Sequence, residues 1–276
     1  MDQTTADALV QAVRDVARAE ILPRFRALGA DDIDVKSHAE DLVTVADRAA
    51  EVALTDRVLN LIPDAAVVGE EAVADDPAIL QRLHSDGTVV VIDPIDGTWN
   101  YAAGLAMFGV ILAVRQGGRT VMGLLYDAIL DDWQIAIEGQ GAWLIRAHGS
   151  RTPLNTRATR SRETETGYLP VHMFEGAARR ALSSASLDYG RTNSLRCSLH
   201  EYRMLASGKV DWVLSAQSKP WDHLAGQLIV TEAGGACGTL SGGPYDPTDG
   251  NTPLLAASSL VRLDTLRAEL NGAIGT

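Results

Sequence analysis

Two cysteines in 276 residues leave no basis for a disulfide framework, and Cys197 and Cys237 have neither metal-ligand nor redox spacing. They read as reduced, mostly buried thiols. Basic residues are also short: 24 Lys and Arg stand against 36 Asp and Glu, a net charge of −12. That balance argues against direct nucleic-acid binding, which needs cations to neutralise phosphates. No apolar run is long enough to span a bilayer. The opening MDQTTADALVQAVRDVARAE lacks the basic start and continuous apolar core of a signal peptide. The expectation is a soluble, cytoplasmic protein with no membrane partner. Internal repeats and low-complexity tracts are absent too, and no nucleophilic Ser or Cys has a paired His for covalent catalysis.

What remains is ordinary globular composition, 46% hydrophobic and 22% charged, in a chain long enough for a large core. Ala6, Leu9, Val10, Val13, Val16, Ala17 and Ile21 recur at helical spacing up to Pro23. A second helix is expected from about Thr44 to Leu61, closed by Pro63 and Asp64. Ala65 to Val68 reads as a short strand. Residues 106–138 read as an antiparallel meander, turning at Gly117-Gly118 and near Asp131-Asp132. Further helices are expected over about 197–207 and after Trp221-Asp222. Residues 146–165, poor in core residues, hold the best lobe boundary. The expectation is one domain over 1–276, with an N-terminal lobe of about 1–148 and a C-terminal lobe of about 149–276. Its class is α/β (α+β), two sheets layered with helices.

The most informative run is VIDPIDGTWNY at 91–101. The apolar run Val89 to Ile92 reads as a buried strand, and Asp93 and Asp96 follow it around Pro94. Two carboxylates, a forced turn and the Thr98 hydroxyl thus sit at the C-terminal end of a core strand, where α/β folds place their chemistry. Clustered carboxylate oxygens suit hard divalent cations. Other acids lie at the ends of core elements: Glu70-Glu71 after a strand, Asp41 and Asp47 around a helix start, and Asp222 in the first turn of a later helix. Each alone also suits a cap or a solvated turn.

Together these segments resemble the inositol monophosphatase family, within the lithium-sensitive, magnesium-dependent phosphatase superfamily. The matching motifs are K-x4-D-L-V-T-x2-D from Lys36 to Asp47, GEE at 69–71, DPIDGTWNY at 93–101, WDHLAGQLIVTEAGG at 221–235 and SGGPY at 241–245. They follow the family's order and span most of the chain. The resemblance implies a layered αβαβα sandwich of the inositol monophosphatase and fructose bisphosphatase type, commonly dimeric. It implies two to three Mg²⁺ ions: one held by Glu70, Asp93 and the backbone carbonyl of Ile95, another by Asp93, Asp96 and Asp222, and a weaker third reached by Glu70 through water. It gives Thr98, supported by Asp47, the attacking water, and the N–H groups of Gly97 and Thr98 the phosphate. Lys36 would add a supporting positive charge. The implied reaction is hydrolysis of a small phosphorylated alcohol by in-line attack of activated water, with sensitivity to Li⁺.

The match breaks where the family chooses its alcohol. Inositol-specific members carry a Gly-Thr/Ser-Ala run where Arg196, Cys197 and Ser198 stand here, and a Glu that binds an inositol hydroxyl where Ser215 stands. Lys219 and Arg196 instead offer positive charge to a second anionic group, and both also suit structural roles. Inositol 1-phosphate is therefore the nominal substrate, with fructose bisphosphate, histidinol phosphate and 3′-phosphoadenosine 5′-phosphate as alternatives. A different class of role, as a partner of the transcription machinery, is also known in the family.

Overall fold

The computed structural model describes residues 1–36 and 40–274, with side chains described to residue 272. Residues 37–39, within the Lys36–Asp47 motif, lie outside the described residues. Asp2 caps the first helix, α1 (Gln3–Val16), by accepting the Thr5 N–H at 2.9 Å. The apolar stripe of α1 is buried at the spacing expected. The chain then widens into a π turn over Ala17–Ile21 and a 3-10 turn around Pro23. An antiparallel pair, β1 (Ile33–Val35) and β2 (Leu42–Thr44), leads into α2 (Val45–Leu61). Thr44 and Asp47 form a capping box there, the Thr44 N–H and hydroxyl both donating to Asp47 Oδ2 at 2.8 and 2.6 Å.

The main sheet has seven strands in chain order. They are β3 (Ala66–Gly69), β4 (Thr88–Asp96), β5 (Gly109–Gln116), β6 (Arg119–Asp127), β7 (Asp132–Ile137), β8 (Ala142–Arg146) and β9 (Arg151–Pro153). Two short helices interrupt this run: α3 (Glu70–Asp75) after β3 and α4 (Thr98–Ala102) after β4. β3 and β4 pair in parallel and every later neighbour is antiparallel. The meander expected over 106–138 is β5 to β7. β4 reads as a continuous apolar run because both of its faces are covered. Val90 and Ile92 pack into the core with α1 and α2, and Val89 and Val91 into the core on the other side.

A second sheet follows from β10 (Thr166–Tyr168), with α5 (Gly176–Ser186), β11 (Arg191–Asn193), α6 (Ser198–Ala206), β12 (Trp212–Ser215), α7 (Pro220–Glu232), β13 (Ala236–Thr239), β14 (Leu254–Ala257) and α8 (Leu260–Ile274). Its strand order is β11-β10-β12-β14-β13. α6 and α7 lie between the two sheets, and α5 and α8 cover the outer face of the second. The result is the expected αβαβα layering. Among the described residues no helix is long and apolar enough to cross a membrane.

Candidate active site

An i, i+3 pair on a regular strand points to opposite faces, because side chains alternate. Asp93 and Asp96 do not, and the register of β4 explains why. Asp93 faces Ile111 and Asp96 faces Gly109, so three steps along β4 match two along β5. This is a β-bulge with one extra residue, and Pro94 sits inside it, where no ladder N–H is required. Ile92 and Ile95 both reach the core shared with α1 and α2. Asp93 and Asp96 both turn the other way and meet Asp222, from the first turn of α7. One oxygen from each of the three carboxyls lies within 4.8 Å of the others.

All three acids are largely removed from water, with Asp93 1% exposed and Asp96 7% exposed. No ion pair joins any of them to a protein cation among the described residues. Burial pushes Asp93 well above the carboxylate range, and repulsion from Glu70, Asp96 and Asp222 adds to it. Burial and Asp222 raise Asp96 to about 7, against the hydrogen bonds it accepts from Cys197 and Leu199. Burial raises Asp222 too, opposed by Lys219 and a hydrogen bond with Asp93. Buried like charges without a counter-ion are costly. A set of hard oxygens in this state fits a divalent cation.

Asp93 and Asp96 are held by backbone and thiol donors. The Ile95 N–H donates to Asp93 Oδ1 at 3.0 Å. Asp96 Oδ2 accepts the Leu199 N–H at 2.5 Å and the Cys197 thiol at 3.0 Å, which ties it to the N-terminus of α6. Glu70 opens α3, and Lys36 Nζ bridges it to Glu71, at 3.0 Å from Glu70 and 2.6 Å from Glu71. Lys36 is therefore a supporting charge at this edge, its pKa raised by Glu70 and Glu71 against burial.

At the other edge, Gly97 precedes α4 with φ +87°, and a Cβ there would come within 2.8 Å of the Met107 carbonyl oxygen. Gly97→Ala is accordingly expected to cost about 1–3 kcal/mol of stability, measurable by denaturant unfolding. The Thr98 hydroxyl has one proton and two acceptors, the Ile95 carbonyl oxygen at 2.9 Å and Asp47 Oδ1 at 3.3 Å. Either choice leaves its lone pairs for a water. Burial raises Asp47 to about 7 although Thr44 donates to it. The Ile95 carbonyl, with two lone pairs, keeps one free beside the Thr98 bond.

The residues that depart from the family pattern are placed differently from one another. Arg196 takes φ +55°, and its guanidinium lies 4.1 Å over the Trp99 ring and 3.2 Å from Glu40. Asn100 braces the same loop, its side-chain amide donating to the Leu195 and Met107 carbonyls at 2.9 and 3.0 Å. Cys197 faces Asp96, and Ser198 opens α6 beside it. Ser215 ends β12 opposite Leu254, half-buried. Lys219 precedes α7, and Asp222, Glu70 and Asp41 raise its pKa against burial. The chain has three lysines, and two of them, Lys36 and Lys219, are at this site. His223 turns away from the site: it is buried against the Tyr202 hydroxyl at 3.0 Å, and burial lowers it to about 4.

Sequence reading missed Glu51 and Asn100. Glu51 stands one turn after Asp47 on α2, and that i, i+4 pairing was its only signal.

Comparison with known proteins follows the same outline. The model of the inositol monophosphatase family matches residues 1–273. The Nus factor SuhB of Pasteurella multocida is 34% identical over 223 residues, covering 79% of this chain and 78% of its own. The inositol-1-monophosphatase of Bacillus subtilis is 27% identical over 242 residues, 83% of each. Among solved structures, the Thermotoga maritima IMPase shares the fold with a TM-score of 0.81 at 23% identity, over 99% of both chains.

Proposed function

The chain belongs to the inositol monophosphatase family and is a phosphomonoesterase, and we propose that it hydrolyses a small phosphorylated alcohol with two or three Mg²⁺ ions. The observation that carries this reading is the triad of buried Asp93 and Asp96 and half-buried Asp222, with oxygens within 4.8 Å of one another and no protein cation paired to them among the described residues. Those three acids, Glu70 and the Ile95 carbonyl would hold the ions. Bound there, the ions supply Lewis-acid charge and lower the pKa of water.

The chain's own groups do the rest. The Thr98 hydroxyl accepts a hydrogen bond from the attacking water and so orients it, its own proton being committed to the Ile95 carbonyl or Asp47. The N–H groups of Gly97 and Thr98, at the start of α4, would receive the phosphate. Lys36 and Lys219 offset the local excess of acid, which would otherwise repel a dianion. No covalent enzyme intermediate is needed.

Ser215, Lys219 and the Arg196–Ser198 run belong to the alcohol side. The acid that would grip an inositol hydroxyl is absent, so inositol 1-phosphate is the nominal substrate only. Lys219 favours a leaving group with its own anion, as in fructose bisphosphate or 3′-phosphoadenosine 5′-phosphate, over histidinol phosphate. The test is phosphate release from these four esters, with Mg²⁺ and with chelator. Mg²⁺-dependent release from at least one, inhibited by Li⁺, is expected; release from none with metal bound overturns the reading. A homodimer and a cytoplasmic location belong to the same proposal.

Likeness to relatives named Nus factor favours a second reading, a protein-interaction role in transcription. Such a role does not need Asp93. A phenotype that survives Asp93→Asn would favour it.

A further inference from the structure

Glu51 is a buried carboxylate outside every motif of the site. It is 6% exposed, on the same face of α2 as Asp47. Its Oε2 accepts the Glu71 N–H at 2.8 Å and its Oε1 accepts the Ala72 N–H at 2.8 Å. Both oxygens are therefore committed to the first turn of α3, whose N–H groups have no partners within that helix. α3 has six residues and no side-chain cap of its own at Gly69. A helix this short does not hold its own orientation.

Two further observations separate this contact from a casual one. A Cβ at Gly69 would fall within the Glu51 carboxylate, so the strand end is cleared for it. Glu51 also has no ion pair among the described residues. Burial raises its pKa, opposed first by the Glu71 and Ala72 N–H groups and then by Lys36. A buried carboxylate is costly unless its lone pairs are satisfied. Here the satisfaction comes from the two residues that follow Glu70.

We propose that Glu51 is a positioning residue for the metal centre: it clamps the first turn of α3 and so aims Glu70. The inference rests on the reading of Glu70 as a metal ligand. α2 then sets both ends of the site from one face. Asp47 meets Thr98, and one turn on, Glu51 holds the turn that carries Glu70. The spacing between the water-positioning end and the Glu70 end is fixed by a single helical turn, about 5.4 Å of rise.

The test is Mn²⁺ binding by calorimetry to the full chain, wild type against Glu51→Gln and Glu51→Asp. A glutamine presents its NH₂ to one of two N–H donors, and an aspartate falls a methylene short. Each should weaken Mn²⁺ about tenfold or more, as outer-shell changes at metal sites do. Leu182→Ala, in the outer layer on α5, is the stability control. It should lower the melting temperature while leaving Mn²⁺ affinity within about twofold. Wild-type affinity in a folded Glu51 variant overturns the clamp, as does an equal loss in Leu182→Ala. Absence of Mn²⁺ binding by the wild type sinks the metal reading itself, and the clamp with it.

Discussion

Asp93→Asn is expected to lower Mg²⁺-dependent phosphate release about 10³-fold or more, while making the metal-free chain harder to unfold. The loss follows from removing the acid that meets both Asp96 and Asp222 and feels Glu70 most strongly. About 4 kcal/mol of transition-state stabilisation corresponds to that factor. The gain follows from the same geometry. Asparagine keeps the oxygen that accepts the Ile95 N–H at 3.0 Å, so the strand end keeps its hydrogen bond. It removes a buried carboxyl that folding must hold protonated among Glu70, Asp96, Asp222 and Asp47, which is worth about 1–3 kcal/mol in chelator. Mg²⁺ should raise the melting temperature of the wild type by mass action and do much less for the variant. An active variant, or one less stable than wild type in chelator, would remove Asp93 from the metal centre.

Thr98→Ala should leave a different signature. Its hydroxyl bonds the Ile95 carbonyl and Asp47 and touches none of the three clustered carboxyls. The expected result is a fall in kcat of about 10²-fold with Mn²⁺ affinity kept, because only the hydrogen-bond acceptor that orients the water is gone. Thr98→Ser should recover most of the rate. A Thr98→Ala chain with a wild-type kcat would show that water is positioned by another group. Steady-state phosphate release and calorimetry on the same samples separate this pattern from that of Asp93→Asn.

The acids at strand ends were legible because their neighbours announced them. A four-residue apolar run stops at Asp93, and Pro94 and Gly97 force the chain to turn there. The second helix was expected from about Thr44, and Thr44 with Asp47 forms the capping box of α2 there. Glu51 was not legible, because a carboxylate on a helix reads as solvent-facing until its partner is known. Its partner is the backbone of α3, about twenty residues on and invisible to side-chain pattern. The conformation of Arg196 was hidden for a similar reason. Nothing in its local sequence requires φ +55°, and it is held by Trp99, Glu40 and the Asn100-braced loop, all distant in the chain. Glu70 and Glu71 read as a turn after a strand, yet they open a helix whose cap comes from α2.

The bulge in β4 constrains the motif in a way that residue identity does not. Odd spacing between two acids becomes functionally even through the one additional residue opposite β5. Parity is thus a property of the segment's length. Deleting Pro94 or Ile95 leaves an even spacing that a regular strand puts on one face. Inserting one residue between Asp93 and Asp96 while the bulge persists would instead keep both aspartates yet rotate one of them toward the side occupied by Ile92, Leu54 and Val58. A charge would enter an oily layer while the metal pocket lost a wall. A one-residue insertion between residues 93 and 96 should therefore be as disabling as replacing the acids themselves, even where the letters D, P, G and T all survive.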